Sequence, residues 1–288
     1  MMDNPEYPIA KWANILQIER SGYYAWLRRR EHLEQREVTL KEKIKDRFNQ
    51  SRGTYGPERI TEDLRKEGEH LGRKRCEQYM KEMNLVSIHN RHRTKSLTNS
   101  KKARGEGYVN ILRDQEFPIV PRRGVTSDIT YLKTGEGFMY HCVIRDLVTG
   151  EVLGDYMADR MKKELVINAI LAMLARHKME KGCIFHSDRG SQYTSNTVKD
   201  LLCRYGMRQS FSRVGMPGDN AWSESFFATM KKELTHWTHY ETKESVRAAV
   251  FEYVYCFYNV KRIQKRLGYM SPIEYLRSLQ IEDLVQVA

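Results

Sequence analysis

The sequence lacks what would commit it to a membrane, a zinc ion or an oxidising compartment. No apolar run approaches the roughly 20 residues needed to cross a bilayer. The opening Met1-Met2-Asp3-Asn4-Pro5-Glu6 has no basic segment followed by an apolar one, so no secretory signal is expected. The five cysteines (Cys76, Cys142, Cys183, Cys203, Cys256) are odd in number, scattered and without a CxxC pair. They read as reduced, mostly buried thiols of a cytoplasmic protein and not as a zinc site or disulfide frame. A GxxxxGKS/T loop and a serine nucleophile elbow are both missing, which argues against an NTPase and a triad hydrolase. Negative charge is also short, with 37 Asp and Glu against 49 Lys and Arg and a net charge of +12. The deficit is concentrated in residues 1–124, which hold 27 basic against 18 acidic residues. A solvated basic surface would look similar, but concentration in one half favours a polyanionic partner held by counterion release.

What is present is enough for two or three modules: 288 residues, 40% of them hydrophobic. Ile9, Trp12, Ile15, Leu16, Tyr23, Trp26 and Leu27 predict a helix over residues 8–35, broken at Ser21-Gly22 and closed by Arg28-Arg29-Arg30. Three short helical patterns follow: residues 38–50, a segment opened by Pro57 and ended by Gly68, and a segment opened by Gly72. The last two, about a glycine-bearing turn, predict a helix-turn-helix with Arg73, Lys74 and Arg75 at the N-terminus of the groove-reading helix. Residues 89–104 carry Arg91, Arg93, Lys95, Lys101, Lys102 and Arg104 with no acid, which predicts a basic linker.

From Gly124 the texture changes. Strands are expected at Val125–Leu132, Phe138–Leu147 and Gly150–Met157, with a hairpin turn at Thr134-Gly135-Glu136-Gly137 between the first two. A helix near 165–177, a strand at Cys183–Phe185, a helix at Ser195–Tyr205 and a short strand at Met207–Phe211 come next. Helices at 221–236, 243–259 and 272–279 close the chain. The fold class is α/β: a ribonuclease-H-like core, preceded by a small all-α helix-turn-helix domain and followed by C-terminal helices. The expected segments are 1–36 (N-terminal helical), 37–87 (helix-turn-helix), 88–121 (basic linker), 122–260 (catalytic core) and 261–288 (helical tail).

Asp128, Asp188 and Glu224 fall on separate elements of that core. Aspartate is disfavoured inside a strand, yet Asp128 alternates with Thr126 and Thr130 on a polar line. Asp146 is the rival first acid, ranked lower because Asp146-Leu147-Val148-Thr149-Gly150 resembles a strand-to-turn exit. Asp188 follows a short buried strand, where α/β proteins place chemistry. Asp219 competes with Glu224 as third acid, and either Asp219 or Asn220 would cap the following helix. On that helix Trp222, Phe226 and Met230 form a packing stripe, with Glu224 and Lys231 within about 20° of each other on nearly the opposite face. His186 shares a side with Asp188 and, with Asn220, forms a second tier. Three converging carboxylates suit Mg²⁺ or Mn²⁺.

These residues resemble the DDE transposases encoded by the second reading frame of a large bacterial insertion-sequence family, which have a retroviral-integrase-like core. The resemblance covers nearly the whole chain. It rests on Tyr7-Pro8-Ile9 with Ser21-Gly22-Tyr23-Tyr24-Ala25-Trp26, on Tyr55-Gly56-Pro57-Glu58-Arg59-Ile60 with Arg73-Lys74-Arg75, and on Asp128-Ile129-Thr130-Tyr131. It continues through His186-Ser187-Asp188-Arg189-Gly190-Ser191-Gln192-Tyr193, Asp219-Asn220-Ala221 with Glu224-Ser225-Phe226-Phe227, and Tyr258-Asn259 with Leu267-Gly268-Tyr269-Met270-Ser271-Pro272. Between Asp188 and Glu224 lie 35 residues, the spacing in the family's D,D(35)E name. Val125 and Gln264 depart from the family's usual Trp and His.

The resemblance implies metal-dependent DNA cleavage and strand transfer at insertion-sequence ends, leading to integration. Asp128, Asp188 and Glu224 would be the catalytic acids and the ligands of two Mg²⁺ or Mn²⁺ ions. Arg59, Arg73, Lys74, Arg75, Arg91, Arg93, Lys101, Lys102, Arg189, Lys231 and Lys232 are the expected DNA contacts. The implied partners are double-stranded DNA (terminal inverted repeats and target), further copies of the chain in at least a dimer, and an upstream-frame helix-turn-helix and leucine-zipper protein. No membrane is involved, and the expected location is the cytoplasm, at the nucleoid. A ribonuclease-H-type nuclease that cuts without joining and a catalytically silent DNA-binding regulator are the alternatives.

Overall fold

The computed structural model describes residues 8–90, 108–114, 118, 120–213 and 221–287, and the chain divides into two compact units, 1–87 and 88–288. The first unit is helical: α1 (Ile9–Ile15), α2 (Arg20–Gln50), α3 (Pro57–Lys66) and α4 (Arg73–Glu82). Between Gly22 and Gln50 the sequence contains neither glycine nor proline, and α2 runs unbroken for 31 residues. Two expectations are corrected by this. The break lies upstream of Ser21-Gly22, after α1, where Gln17 takes a φ of 51°. Ser21 and Gly22 fall instead in the first turn of α2, outside the helix interior where a glycine's backbone entropy costs most. The segment boundary expected at 36/37 also falls inside α2, because nothing around Arg36 interrupts the helix.

The C-terminal half of α2 is packed through Leu40 and Ile44, while α3 and α4 contribute Ile60, Leu64, Cys76, Tyr79 and Met80 to the same unit's core. Lys41 joins α2 to α4, pairing with Glu37 at 2.7 Å and Glu82 at 2.8 Å. Pro57 opens α3, and Gly68, at a φ of 84°, follows its end in the left-handed region that glycine tolerates best.

The second unit is built on five strands: β1 (Gly124–Thr134), β2 (Gly137–Asp146), β3 (Val152–Ala158), β4 (Ile184–Ser187) and β5 (Arg208–Phe211), in the order β3-β2-β1-β4-β5. The first three form an antiparallel meander, and β4 and β5 run parallel to β1. The short α5 (Ile111–Asp114) precedes them. Helices α6 (Lys163–Arg176) and α7 (Asn196–Arg204) cover one face over a core of Val125, Cys142, Ile144, Leu153, Ile170, Phe185, Val198 and Leu202. Helix α6 presses so closely on β3 that a Cβ on Gly154 would lie 2.6 Å from the Met173 backbone nitrogen.

The other face receives α8 (Ala221–Met230), which continues as a π-helical turn over Lys231–Thr235, and α9 (Lys243–Phe251), which continues as π-helix over Glu252–Tyr258; α10 (Pro272–Val287) ends the described chain. Among the described residues no helix is long and apolar enough to cross a membrane.

Candidate active site

Strand register brings the first two acids together. β1 and β4 pair in parallel over Gly124–Thr126, with Thr126 beside His186. Asp128 and Asp188 each follow two residues later, so they stand level where the strands part. The third acid arrives through a buried hydroxyl bridge: Thr126 Oγ1 lies 2.8 Å from Ser223 Oγ, and Glu224 is the next residue of α8. Arg145 of β2, directly across from Thr126, donates to the Trp222 carbonyl at 2.6 Å and to the Tyr258 hydroxyl at 3.0 Å. Its guanidinium stacks 4.8 Å from the Phe226 ring centre. These anchors set the phase of α8. The expected stripe Trp222–Phe226–Met230 is corrected accordingly: Trp222 is 38% exposed, and Ser223, Phe226, Phe227 and Met230 face the sheet. Glu224 is exposed.

The acids are coupled electrostatically. Burial pushes the Asp128 carboxyl up to about 7, the negative charges of Asp188 and Glu224 add to the rise, and the Ile129 N–H and Lys231 oppose it. Asp188 stands at an exposed rim, yet the protein packed around its carboxyl raises its pKa against the lowering effect of the Gly190 N–H at 3.0 Å. A Cβ at Gly190 would lie 3.1 Å from Asp188 Oδ1, so a side chain there would crowd the carboxylate. Among the described residues no three His, Cys, Asp or Glu groups close on one point as a finished metal shell. The donor set is nevertheless all carboxylate oxygen with its negative charge only partly offset, which fits a hard divalent cation by chemistry.

The other sequence-derived candidates are distributed as follows. Lys231 places its ammonium 4.8 Å from the Tyr131 ring centre and near enough to Asp128 to act on its charge. Lys232 turns away and donates to the His89 carbonyl at 2.8 Å. Arg189 is turned into the protein, donating to the carbonyls of Ser212 at 2.8 Å and Tyr108 at 3.4 Å. His186 is buried, with Nδ1 2.9 Å from Ser210 Oγ and Nε2 3.1 Å from Ser212 Oγ. Ser210 Oγ also accepts the Ile111 N–H at 2.9 Å, so His186 is tied into a buried hydroxyl network. Asp146 anchors a turn, its Oδ1 accepting from the N–H groups of Val148 and Thr149 and its Oδ2 from that of Arg122. In the first unit Arg73, Lys74 and Arg75 are exposed at the N-terminus of α4, with Arg75 also bonded to the Tyr79 hydroxyl at 2.7 Å. Arg59 is half-buried, 5.8 Å from the Tyr55 ring centre. Arg91, Arg93, Lys101, Lys102, Asp219 and Asn220 lie outside the described residues.

Two supports escaped the sequence. Arg145 follows the apolar run Cys142-Val143-Ile144 in β2, a charge at a buried position that the sequence does show. Glu233 had no local signal: it is buried and accepts from Arg262 at 2.6 Å, Tyr253 at 2.8 Å and His89 at 2.6 Å. Against the desolvation of burial, the Arg262 charge and these hydrogen bonds hold Glu233 down at about 2.

Residues 120–217 and 224–278 each match an integrase core domain family, and residues 34–93 match an HTH-like domain. Transposase InsF of insertion sequence IS3A from Escherichia coli K12 is 33% identical over 274 residues, covering 94% of each chain. The transposase of insertion sequence element IS904 from Lactococcus lactis is 34% identical over 241 residues, 84% of this chain and 94% of the relative. The HTLV-2 integrase catalytic core domain aligns with 55% of this chain and 97% of its own, at 13% identity and a TM-score of 0.42. With identity above 30% sustained along almost the full length of both relatives, the chain belongs to the IS3-family transposases.

Proposed function

We propose that Asp128, Asp188 and Glu224 are the catalytic acids of this transposase and together hold two divalent cations, Mg²⁺ or Mn²⁺. The observation that supports this most is geometric: strand register sets Asp128 level with Asp188, and the Thr126–Ser223 bond brings Glu224 to the same edge, where burial and the charges of the other two acids also push the Asp128 carboxyl up. Such a cluster is stable when ionised only if a cation joins it. Bound there, such ions would activate a water or a 3′-hydroxyl for attack and neutralise the leaving oxygen of the phosphate. Asp128, whose charge feels both other acids, would hold such ions together with Asp188 and Glu224. Asp128 must lose its proton for this, so loading is favoured at neutral and alkaline pH. Lys231 supplies a positive charge beside the cluster for the terminal phosphate. Lys232 and Arg189, which bond to carbonyls in the protein, act as braces of the surrounding loops. His186 holds β4 to β5 instead of meeting substrate.

Arg73, Lys74 and Arg75 are proposed to meet phosphates or base edges at the element end, at a helix N-terminus where anions are favoured. Cut and joined ends must be held together, which calls for at least two copies of the chain on DNA. The upstream-frame protein is proposed as an auxiliary partner, and the cytoplasm at the nucleoid as the place of action. A strand-transfer assay on labelled element-end duplex with Mg²⁺, run beside Glu224→Gln, tests the reading. Joined product from the wild type and none from the variant is expected. Nicks without joining would favour the nuclease, and binding without chemistry, even with the upstream protein added, would favour the regulator.

A further inference from the structure

We propose that Tyr131 and Phe138, at the β1–β2 hairpin, form a stacking platform for one unpaired nucleobase of the DNA end. The proposal rests on the reading that the neighbouring acids act on DNA. Tyr131 and Phe138 are 50% and 49% exposed, and their rings meet edge to face at 5.3 Å between centres. Strand register explains the pairing. Tyr131 stands across from Tyr140 and Lys133 across from Phe138, so the two rings are diagonal neighbours on one face of the hairpin.

Three features select a nucleobase as the occupant. The Lys231 ammonium lies 4.8 Å from the Tyr131 ring centre and also acts on Asp128, so the platform adjoins the acid cluster. Lys133 lies opposite Phe138, giving the patch positive charge on a second side. An aromatic face flanked by cations complements a base with its attached phosphate, and every base offers a π-face. The hairpin is also held firmly. Gly135 donates to the Tyr240 carbonyl at 2.9 Å, Lys243 N–H donates to Glu136 at 2.8 Å, and a Cβ on Gly135 would lie 2.6 Å from the Glu241 carbonyl oxygen. A platform already ordered loses little freedom when a base settles on it. Opening the end of a duplex beside the scissile phosphate exposes such a base, and the platform would keep it from re-pairing.

The test measures binding of the full chain to duplex DNA carrying the inverted repeat of its own element, without divalent cation, with abasic sites placed one at a time over the terminal positions. Tyr131→Ala should weaken binding to intact DNA by roughly tenfold, the scale of one base stack, while Tyr131→Phe should keep it. One abasic position should weaken wild-type binding to the same extent and abolish the difference between wild type and Tyr131→Ala. An undiminished difference at every abasic position, or no effect of Tyr131→Ala on intact DNA, overturns the platform. Phe138→Leu carries the same comparison if the tyrosine variant does not fold. Failure of the wild type to bind its element end at all would strike the transposase site as a whole, and is thus distinct from failure of the platform.

Discussion

Asp128 bears the conflict of the site at the scale of a single residue. Its carboxyl, ordinarily ionised near pH 4, is held at about 7 by burial and two neighbouring acids. Between those values the folded chain keeps a proton that the unfolded chain releases. Stability without metal therefore declines as pH rises from about 4 to about 7 and stays low above that. Asp128→Asn removes the conflict. It should raise the metal-free stability at pH 8 by about 1–3 kcal/mol and change it little at pH 4, as thermal melting at the two pH values would show. Added Mg²⁺ should stabilise the wild type and not the variant. The Thr126–Ser223 bridge makes a second prediction. Ser223→Ala removes this buried hydrogen bond between β1 and α8 and should cost about 1 kcal/mol. Thr126→Val with Ser223→Ala should recover much of that stability in urea unfolding. Strand transfer should remain depressed in the double variant, because the bond from β1 beside Glu224 is then lost and only the Arg145 contacts still anchor α8.

At the scale of elements, the π-helical turn after Met230 depends on contacts far along the chain. Glu233 is fixed by Arg262, 29 residues onward, and Lys232 by the His89 carbonyl, 143 residues back. Breaking the buried pair with Arg262→Met leaves Glu233 as an uncompensated charge and should destabilise the chain by about 3–5 kcal/mol, measured by urea unfolding. Repeating patterns made most elements legible. Alternation and turn chemistry marked the β1–β2 hairpin, and the helices expected near 165–177 and at Ser195–Tyr205 lie close to the limits of α6 and α7. The misreadings have local causes. Ser21-Gly22 is a poor helix signal in general, yet it sits in a first turn where the penalty is small. On α8 an apolar tryptophan at position 222 fitted the stripe, whereas the polar Ser223 beside it gave no sign of burial. Only the tertiary bonds from Thr126 and Arg145 show which of the two turns inward.

At the scale of the whole molecule, DNA holding is proposed to fall to the basic front half and chemistry to the acid-bearing second half. Replacing Arg73, Lys74 and Arg75 together by Gln should weaken binding across DNA sequences. The slope of log affinity against log salt should become shallower by about 1 for each phosphate no longer neutralised, as a salt series of binding isotherms would measure. Asp128, Asp188 and Glu224 stood out in the sequence as candidates, since a polar residue in a strand or beside a glycine turn is conspicuous. Their convergence did not, because it arises from the level ends of β1 and β4 and from a hydroxyl bridge spanning 97 residues. That convergence is the central claim, and Mn²⁺ titration of the full chain by calorimetry at pH 7.5, on the wild type and Asp188→Asn, tests it most directly. Mn²⁺ binding with proton release is expected of the wild type, and at least tenfold weaker binding of the variant, with DNA affinity retained. Equal Mn²⁺ affinity in both proteins would contradict it.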